Sequence, residues 1–150
     1  NVNNQLCEGN EAEMFVTVWL GILELSTGKL QSASAGHEYP ALCRANGTFE
    51  LVKDKHGMVL GGMEGMRYKL NELDLQPGDC LFLYTDGVPE ATSSDEELMG
   101  TDRMLDALNI QPTAEPDILI RNVHDGINAF VKNAPQFDDI TMLALRYYGN

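Results

Sequence analysis

The order of hydrophobic patterns along the chain limits the possible fold more than any other feature of the sequence. Up to residue 87, the apolar residues form short runs rich in β-branched and aromatic side chains, separated by glycine, proline, asparagine and aspartate. Such runs predict strands joined by turns. After residue 91 the apolar residues recur every three or four positions, which predicts two amphipathic helices, and residues 137–148 predict a final strand. This order predicts an α+β fold with helices packed on antiparallel sheet.

The predicted strands differ in length and in apolar content. Residues 13–25 (EMFVTVWLGILEL) form a nearly continuous apolar run, which is typical of a strand buried on both faces. Asn-Gly at residues 46–47 predicts a hairpin. Consecutive short strands predict a meander in the first part of the chain. The shorter strands are predicted at residues 30–37, 40–45, 49–52, 66–75 and 80–87.

Two helices are predicted from their capping residues and periodicity. The first covers residues 93–109, with residues 93–95 (SSD) as possible N-caps. The second covers residues 114–134, with Pro116 near its start and a continuous apolar stripe along one side. We expect both helices to pack against the sheet through their apolar faces.

Composition and charge exclude several functional classes. The chain has 150 residues, of which 43% are apolar, a size and composition expected of one domain. Ten lysines and arginines against 23 aspartates and glutamates give a net charge of −13, so neither nucleic-acid binding nor contact with an anionic membrane is expected. No apolar run reaches the roughly 18 residues needed to cross a bilayer.

The three cysteines do not indicate a disulfide framework or a zinc site. Cys7, Cys43 and Cys80 are odd in number and lack the spacing of either kind of site, which favours a reducing cytoplasm. Cys80 stands at the start of the apolar run CLFLY. It is therefore expected to act as a small buried hydrophobe, and a reactive thiol is the less favoured alternative.

Aspartates stand at the ends of two predicted strands. Asp86 follows an apolar run in LYTDGVPEA, and Asp138 and Asp139 precede another in FDDITMLAL. A carboxylate buried there without a partner would be costly, which favours paired or metal-bound acids. Asp-Gly is also a common turn pair, and the second pair of acids could cap a strand. Taken together, carboxylates from neighbouring strand ends favour a Mg²⁺ or Mn²⁺ site.

Six motifs occur in the order and approximate spacing of the protein phosphatase 2C superfamily, the metal-dependent serine/threonine phosphatases. They are MFVT, TGKLQSASAGH, LGGMEGMRY, LQPGDCLFLYTDGVPEA, LMG and FDDITMLAL. The chain resembles the bacterial branch typified by stage II sporulation protein E and the RsbU-type stress regulators, over about residues 4–147. The resemblance implies part of a four-layer αββα sandwich, two antiparallel sheets flanked by helices, lacking the first strands. Residues 1–150 are then a single phosphatase domain, truncated at its N-terminus.

The resemblance also implies roles for the three aspartates. Asp86 matches the family's TDG metal ligand, and Asp138 matches the first member of the final acidic pair, a second ligand. Asp139 is expected to support them by holding water or orienting Asp138. No catalytic residue beyond these metal ligands is implied in this chain. The family uses two divalent ions, Mn²⁺ or Mg²⁺, to activate the water that hydrolyses phosphoserine or phosphothreonine.

Substrate and partners are likewise implied only by the resemblance. The substrate expected in this branch is a phosphorylated regulatory protein, an anti-sigma-factor antagonist, in the cytoplasm; an upstream sensor or membrane domain in the parent protein is left open. The alternative is a non-catalytic regulatory or binding domain of the same fold. A calcium-binding module, the third hypothesis, lacks the DxDxDG spacing.

Two departures from the family pattern qualify these expectations. The family's Gly-Asp-x-x-Asp motif, which supplies the acid joining both metals, is absent from this sequence, so we predict weak ion binding and little or no activity for the isolated chain. Missing strands would leave unpaired edges, which predicts a homodimer or strand exchange. Where eukaryotic relatives have an acid, this chain has His37, expected to fix its loop rather than act as acid or base.

Overall fold

A computed structural model describes residues 2–53, 56–132, 134 and 138–149. The chain forms two compact units, and each contains one antiparallel sheet. The predicted α+β class, with two antiparallel sheets and helices, is confirmed. In chain order the elements are α1 (Val2–Cys7), β1 (Val18–Glu24), β2 (Lys29–Ala35), β3 (Ala41–Cys43), β4 (Phe49–Leu51), β5 (Asn71–Asp74), β6 (Cys80–Tyr84), α2 (Gly100–Asn109), α3 (Pro116–Val131) and β7 (Met142–Arg146).

The first unit holds the three-stranded sheet, in the order β1-β2-β5. The prediction that the first strand is buried on both faces is wrong, because β1 is an edge strand with Leu20 60% and Ile22 65% exposed. The reason is visible across the sheet. Ile22 pairs with Gln31, and the Gln31 side-chain amide donates to the carboxylate of Glu72 at 2.8 Å. Leu20 and Ile22 therefore share a face with polar groups rather than with a core.

A buried asparagine attaches α1 to the glycine-rich segment of the same unit. Asn3 is 1% exposed; its Oδ1 accepts the Gly61 N–H at 3.0 Å, and its amide donates to the Met63 carbonyl at 2.8 Å. The Tyr68 hydroxyl also donates to Asn3 Oδ1, at 3.1 Å. Each of these bonds satisfies a polar group that would otherwise destabilise a buried site.

The second unit holds the four-stranded sheet, in the order β4-β3-β6-β7, together with α2 and α3. Both helices pack on the sheet, as predicted, and their shared core is apolar. The hairpin at Asn46-Gly47 is confirmed by the pairing of β3 with β4. The predicted meander is wrong, since β2 and β3 belong to different sheets. The largest core side chains include Phe49, Phe82, Tyr84, Met104, Leu108, Leu119 and Val123.

The helix starts differ in how well the sequence predicted them. α3 begins at Pro116, as expected for a proline in the first turn. α2 begins at Gly100, seven residues later than predicted, and Gly100 has a φ of +72°. This left-handed conformation interrupts the helical path between the preceding residues and α2. Ser93 instead caps a turn, where its hydroxyl oxygen accepts the N–H groups of Asp95 and Glu97 at 3.2 Å each.

The start of β6 is fixed by a buried carboxylate. Asp79 is 1% exposed and accepts hydrogen bonds from the Arg44 guanidinium and from the N–H groups of Ala45 and Gln76. Ionic and backbone donors together offset the cost of burying this charge. Cys80 follows as a fully buried residue, and burial raises the pKa of its thiol to about 11. The prediction of a small buried hydrophobe is confirmed.

None of the helices in the described part of the chain is both long and apolar enough to span a membrane.

Candidate metal centre

The acids predicted as metal ligands lie at one edge of the four-stranded sheet. β6 and β7 are antiparallel neighbours, and their last pair at this edge is Tyr84 with Met142. The pairing continues one step further, because the Thr85 N–H donates to the Thr141 carbonyl at 3.0 Å. Asp86 follows the C-terminal end of β6, and Asp138 and Asp139 precede the N-terminal end of β7 at the same edge of the sheet. The structure therefore brings together residues that are more than fifty positions apart in the chain.

The Thr85 side chain ties the two strand ends to each other. Its hydroxyl donates to the Asp139 carbonyl at 3.1 Å and accepts the Thr141 N–H at 3.0 Å. These bonds add to the backbone bond between Thr85 and Thr141. The backbone next to Asp86 is thus held against the backbone of Asp139 by the threonine hydroxyl and by backbone groups.

Gly87 lets the loop after β6 approach the segment before β7. A Cβ atom at this position would lie 2.4 Å from the Asp139 carbonyl oxygen and 3.0 Å from its carbon. No side chain fits there unless one of the two segments moves. Glycine is therefore required by the close approach of two backbones.

All three aspartates are solvent-exposed. Asp86 Oδ1 accepts the N–H of Gly87 at 3.0 Å, and Asp138 Oδ1 accepts the N–H of Asp139 at 2.7 Å. The expected cost of burying these charges does not arise, because solvent reaches each carboxylate. Exposure also means that an ion from solvent can reach them.

The donor chemistry fits part of a divalent-ion site. Carboxylate oxygens are the ligands that Mg²⁺ and Mn²⁺ prefer in proteins. Within the described residues, however, no three histidine, cysteine, aspartate or glutamate side chains are grouped closely enough to hold a metal ion. The edge thus presents a partial ligand set, and the assignment of Asp86, Asp138 and Asp139 as ligands stays a prediction.

His37 belongs to the first unit, whereas the three aspartates belong to the second. It follows β2 and Gly36, whose φ is +70°, and its side chain is half-buried. Its expected structural role stays a prediction.

Sequence reasoning missed a cavity beside the candidate metal centre. It has a volume of about 230 Å³ and lies between the loop after β6, the last turns of α3 and the residues before β7. Its charged lining residues include Glu90, Lys132 and Asp138. Glu90 and Asp138 stand in two of the motifs given above and Lys132 stands in none, and nothing in those motifs indicates a shared cavity. Only the tertiary packing of α3 reveals it.

One known family matches nearly the whole chain. The family described as Stage II sporulation protein E (SpoIIE) matches residues 1–148. The chain therefore belongs to the SpoIIE family.

Two curated relatives show the range of this similarity. Protein IcfG of Synechocystis sp. is 31% identical over 138 residues, which cover 92% of this chain and 22% of that protein. Phosphoserine phosphatase RsbU of Bacillus subtilis is 26% identical over 148 residues, which cover 97% of this chain and 43% of that protein. The chain thus spans less than half the length of either relative.

Solved structures of phosphatase domains share the fold of this chain. The SiaA-PP2C domain of Pseudomonas aeruginosa superposes with a TM-score of 0.78 at 19% identity, over 97% of this chain and 57% of that one. The catalytic domain of the serine/threonine protein phosphatase PstP, solved with 2 manganese ions, gives a TM-score of 0.64 at 16% identity, over 99% of this chain and 67% of that one. At these identities the likeness concerns the fold alone.

Proposed function

We propose that this chain is part of a metal-dependent protein serine/threonine phosphatase and supplies one side of its metal centre. The observation that carries the proposal is the placement of Asp86 beside Asp138 and Asp139 at the paired ends of β6 and β7. Membership of the SpoIIE family supports it, as do the name of the relative RsbU, a phosphoserine phosphatase, and the manganese ions bound by PstP.

Each residue at this edge has a separate role in the proposal. Asp86 and Asp138 hold Mn²⁺ or Mg²⁺, and Asp139 orients Asp138 or a metal-bound water. When bound, such ions supply an activated water and stabilise the charge on the phosphoryl oxygens. Thr85 and Gly87 keep the two ligand-bearing segments together through their contacts with Asp139.

The proposed substrate is phosphoserine or phosphothreonine on a regulatory protein, an anti-sigma-factor antagonist, and the proposed compartment is the cytoplasm. The free state of all three cysteines is compatible with that compartment. The competing function is a regulatory or binding domain of the same fold that hydrolyses nothing. The presence of carboxylates at both strand ends favours the phosphatase, because a binding domain has no need for this pair of potential ligands.

We also propose that the chain pairs with a second copy through β1. Among the strands of the described residues, β1 pairs with β2 alone and so has a free edge, and Leu20 and Ile22 on it are exposed. An exposed, apolar edge strand is a template for pairing with another chain. Homodimerisation and strand exchange would both give the backbone N–H and C=O groups of this edge hydrogen-bond partners.

Ion binding provides the direct test. Mn²⁺ is titrated into the chain, and its affinity is measured by electron paramagnetic resonance of the free ion. We expect Asp86→Asn and Asp138→Asn each to weaken binding by at least about tenfold, since each removes a charged ligand, and Asp139→Asn to weaken it less. Asp106→Asn, on the exposed side of α2, is the charge-matched control. If all four variants weaken binding equally, the ions bind only the diffuse negative charge and the metal centre is refuted.

Activity tests the phosphatase assignment separately. The chain and the longer parent protein are assayed with Mn²⁺ on a phosphoserine peptide. We expect hydrolysis by the parent and little or none by the chain, because the chain lacks the Gly-Asp-x-x-Asp acid. A parent protein that binds Mn²⁺ and hydrolyses no phosphopeptide would support the regulatory alternative. Equal rates for chain and parent would refute the predicted need for that acid.

A further inference from the structure

The cavity beside the candidate metal centre combines an apolar floor with a charged rim. Three lining residues, Ile127, Val131 and Ile140, are buried or half-buried and are called the floor here. Three charged lining residues are solvent-exposed and are called the rim: Glu90, Lys132 and Asp138. Its volume of about 230 Å³ is below the roughly 300–1,000 Å³ typical of sites for small-molecule ligands. The cavity lies wholly within the second unit. It is the right size for one long side chain.

The backbone of Glu90 is fixed while its carboxylate is left open. The Glu90 N–H donates to the Asp86 carbonyl at 2.9 Å, and the Glu90 carbonyl accepts the Thr92 hydroxyl at 2.9 Å. Glu90 is exposed, and its carboxylate has no hydrogen bond or ion pair with any residue the structure describes. A charged group on a fixed backbone at a cavity rim is available to pair with a ligand.

The charges around the cavity favour a cation. The rim carries two carboxylates, those of Glu90 and Asp138, and one ammonium group, that of Lys132. The C-terminal end of α3 also lies here, and the last carbonyls of a 16-residue helix carry partial negative charge. Lysine and arginine side chains suit such a site, because their methylene stems pack on apolar surface while their charged heads stay at the rim.

We propose that this cavity binds a lysine or arginine side chain of the phosphoprotein substrate, close to the phosphorylated residue, with Glu90 as its ionic partner. The inference rests on the proposed phosphatase function, since Asp138 belongs both to the cavity and to the candidate metal centre. Sharing that residue places the bound side chain next to the phosphoryl group. Glu90 is then a specificity-determining residue that takes no part in hydrolysis.

The test uses short phosphoserine peptides that carry one arginine two residues before or two residues after the phosphoserine. Each is matched by a peptide with citrulline, which keeps the shape and lacks the charge. Binding to the ¹⁵N-labelled chain is followed by NMR at the amides of Ile127, Val131 and Ile140, first in EDTA and then with Mg²⁺. In EDTA we expect one arginine peptide to bind about fivefold more tightly than its citrulline partner, the gain of one partly exposed ion pair.

Variants separate the cation site from general electrostatic attraction. Glu90→Gln is expected to remove the arginine preference, whereas Asp106→Asn removes the same charge on α2 and is expected to retain it. Lys132→Gln is expected to strengthen arginine binding. Equal affinities for arginine and citrulline peptides would overturn the proposal, as would an arginine preference that persists in Glu90→Gln. A third result would also overturn it: inorganic phosphate shifts the cavity amides of the unmodified chain and does not shift them in Lys132→Gln. The site would then bind anions.

The two solution conditions separate this inference from the proposed function. Arginine preference in EDTA without Mg²⁺-induced shifts at Asp86 and Asp138 supports the cavity and counts against the metal centre. Mg²⁺-induced shifts without arginine preference support the metal centre and overturn the cavity proposal.

Discussion

At the scale of single residues, the close approach of two backbones at Gly87 shapes the candidate metal centre. The segment carrying Asp86 and the segment carrying Asp139 come so near that a Cβ at Gly87 would lie 2.4 Å from a carbonyl oxygen. The sequence predicted a tight turn here from the Asp-Gly pair. It gave no sign that the glycine faces a distant segment.

Gly87→Ala is expected to destabilise the chain by about 1–3 kcal/mol, because the added methyl forces the Asp139 segment away. Urea unfolding measures this change in the free energy of unfolding. Gly47→Ala is the control, since its Cβ would meet its nearest neighbour, the Arg44 carbonyl oxygen, at 3.6 Å. We expect the control to change stability by no more than about 0.5 kcal/mol. Equal losses in both variants would show that the contact with Asp139 is unimportant.

Burial also predicts the reactivity of the cysteines. Desolvation raises the pKa of Cys80 to about 11, so the thiol stays protonated well below that pH. Because the thiolate is the nucleophile, Cys80 is expected to be unreactive there. Cys43 is also buried, and burial raises its pKa. At pH 8 we expect iodoacetamide to label half-buried Cys7 in the folded chain and to spare Cys43 and Cys80. Mass spectrometry of digested protein measures the labelling; all three should react in urea, and fast labelling of native Cys80 would contradict the prediction.

At the scale of elements, the junction of β6 and β7 depends on the Thr85 hydroxyl. Thr85→Val removes both of its bonds, to the Asp139 carbonyl and from the Thr141 N–H. We expect a loss of about 1–2 kcal/mol in the free energy of unfolding, since two backbone groups lose their partner. Mn²⁺ affinity is expected to fall as well, because the ligand-bearing ends separate.

Thr85→Ser tests the same junction with the hydroxyl retained. We expect both stability and Mn²⁺ affinity to return close to those of the unmodified chain. A valine variant that loses stability but keeps its full Mn²⁺ affinity would show that the hydroxyl supports the fold and does not position the metal ligands.

The helices show how far local sequence determines the elements. Pro116 marked the start of α3 correctly, because proline in the first turn sacrifices no helical hydrogen bond. The polar residues 93–95 suggested a helix start that the chain does not use. Gly100, with its φ of +72°, sets the start of α2 instead, and sequence alone does not reveal which glycines adopt that conformation.

At the scale of the whole molecule, the free edge of β1 governs the expected association of the chain. The variant carrying both Leu20→Lys and Ile22→Lys places two charges on this exposed apolar strand. We expect it to be monomeric, whereas the unmodified chain forms dimers, since lysine on an edge strand opposes pairing. Size-exclusion chromatography with light scattering measures the mass.

Ile110→Lys is the control for this association. Ile110 is 69% exposed and directly follows α2 in the second unit, whereas β1 belongs to the first. Its substitution should leave the dimer intact. Dimer loss in this control, or a monomeric unmodified chain at high concentration, would contradict association through β1.

The sequence by itself determined the order of the strands and of the two longer helices, the α+β class and the family, and it singled out the three aspartates as candidate metal ligands. Periodicity and short motifs are local properties of the chain, which is why the sequence shows them. Only the tertiary structure decided which strands share a sheet, that β1 exposes Leu20 and Ile22, and that the aspartates are open to solvent. It alone joined Thr85 and Gly87 to Asp139, and Glu90 to a cavity with Lys132. Such contacts arise from packing between segments far apart in the chain, and no local pattern encodes them.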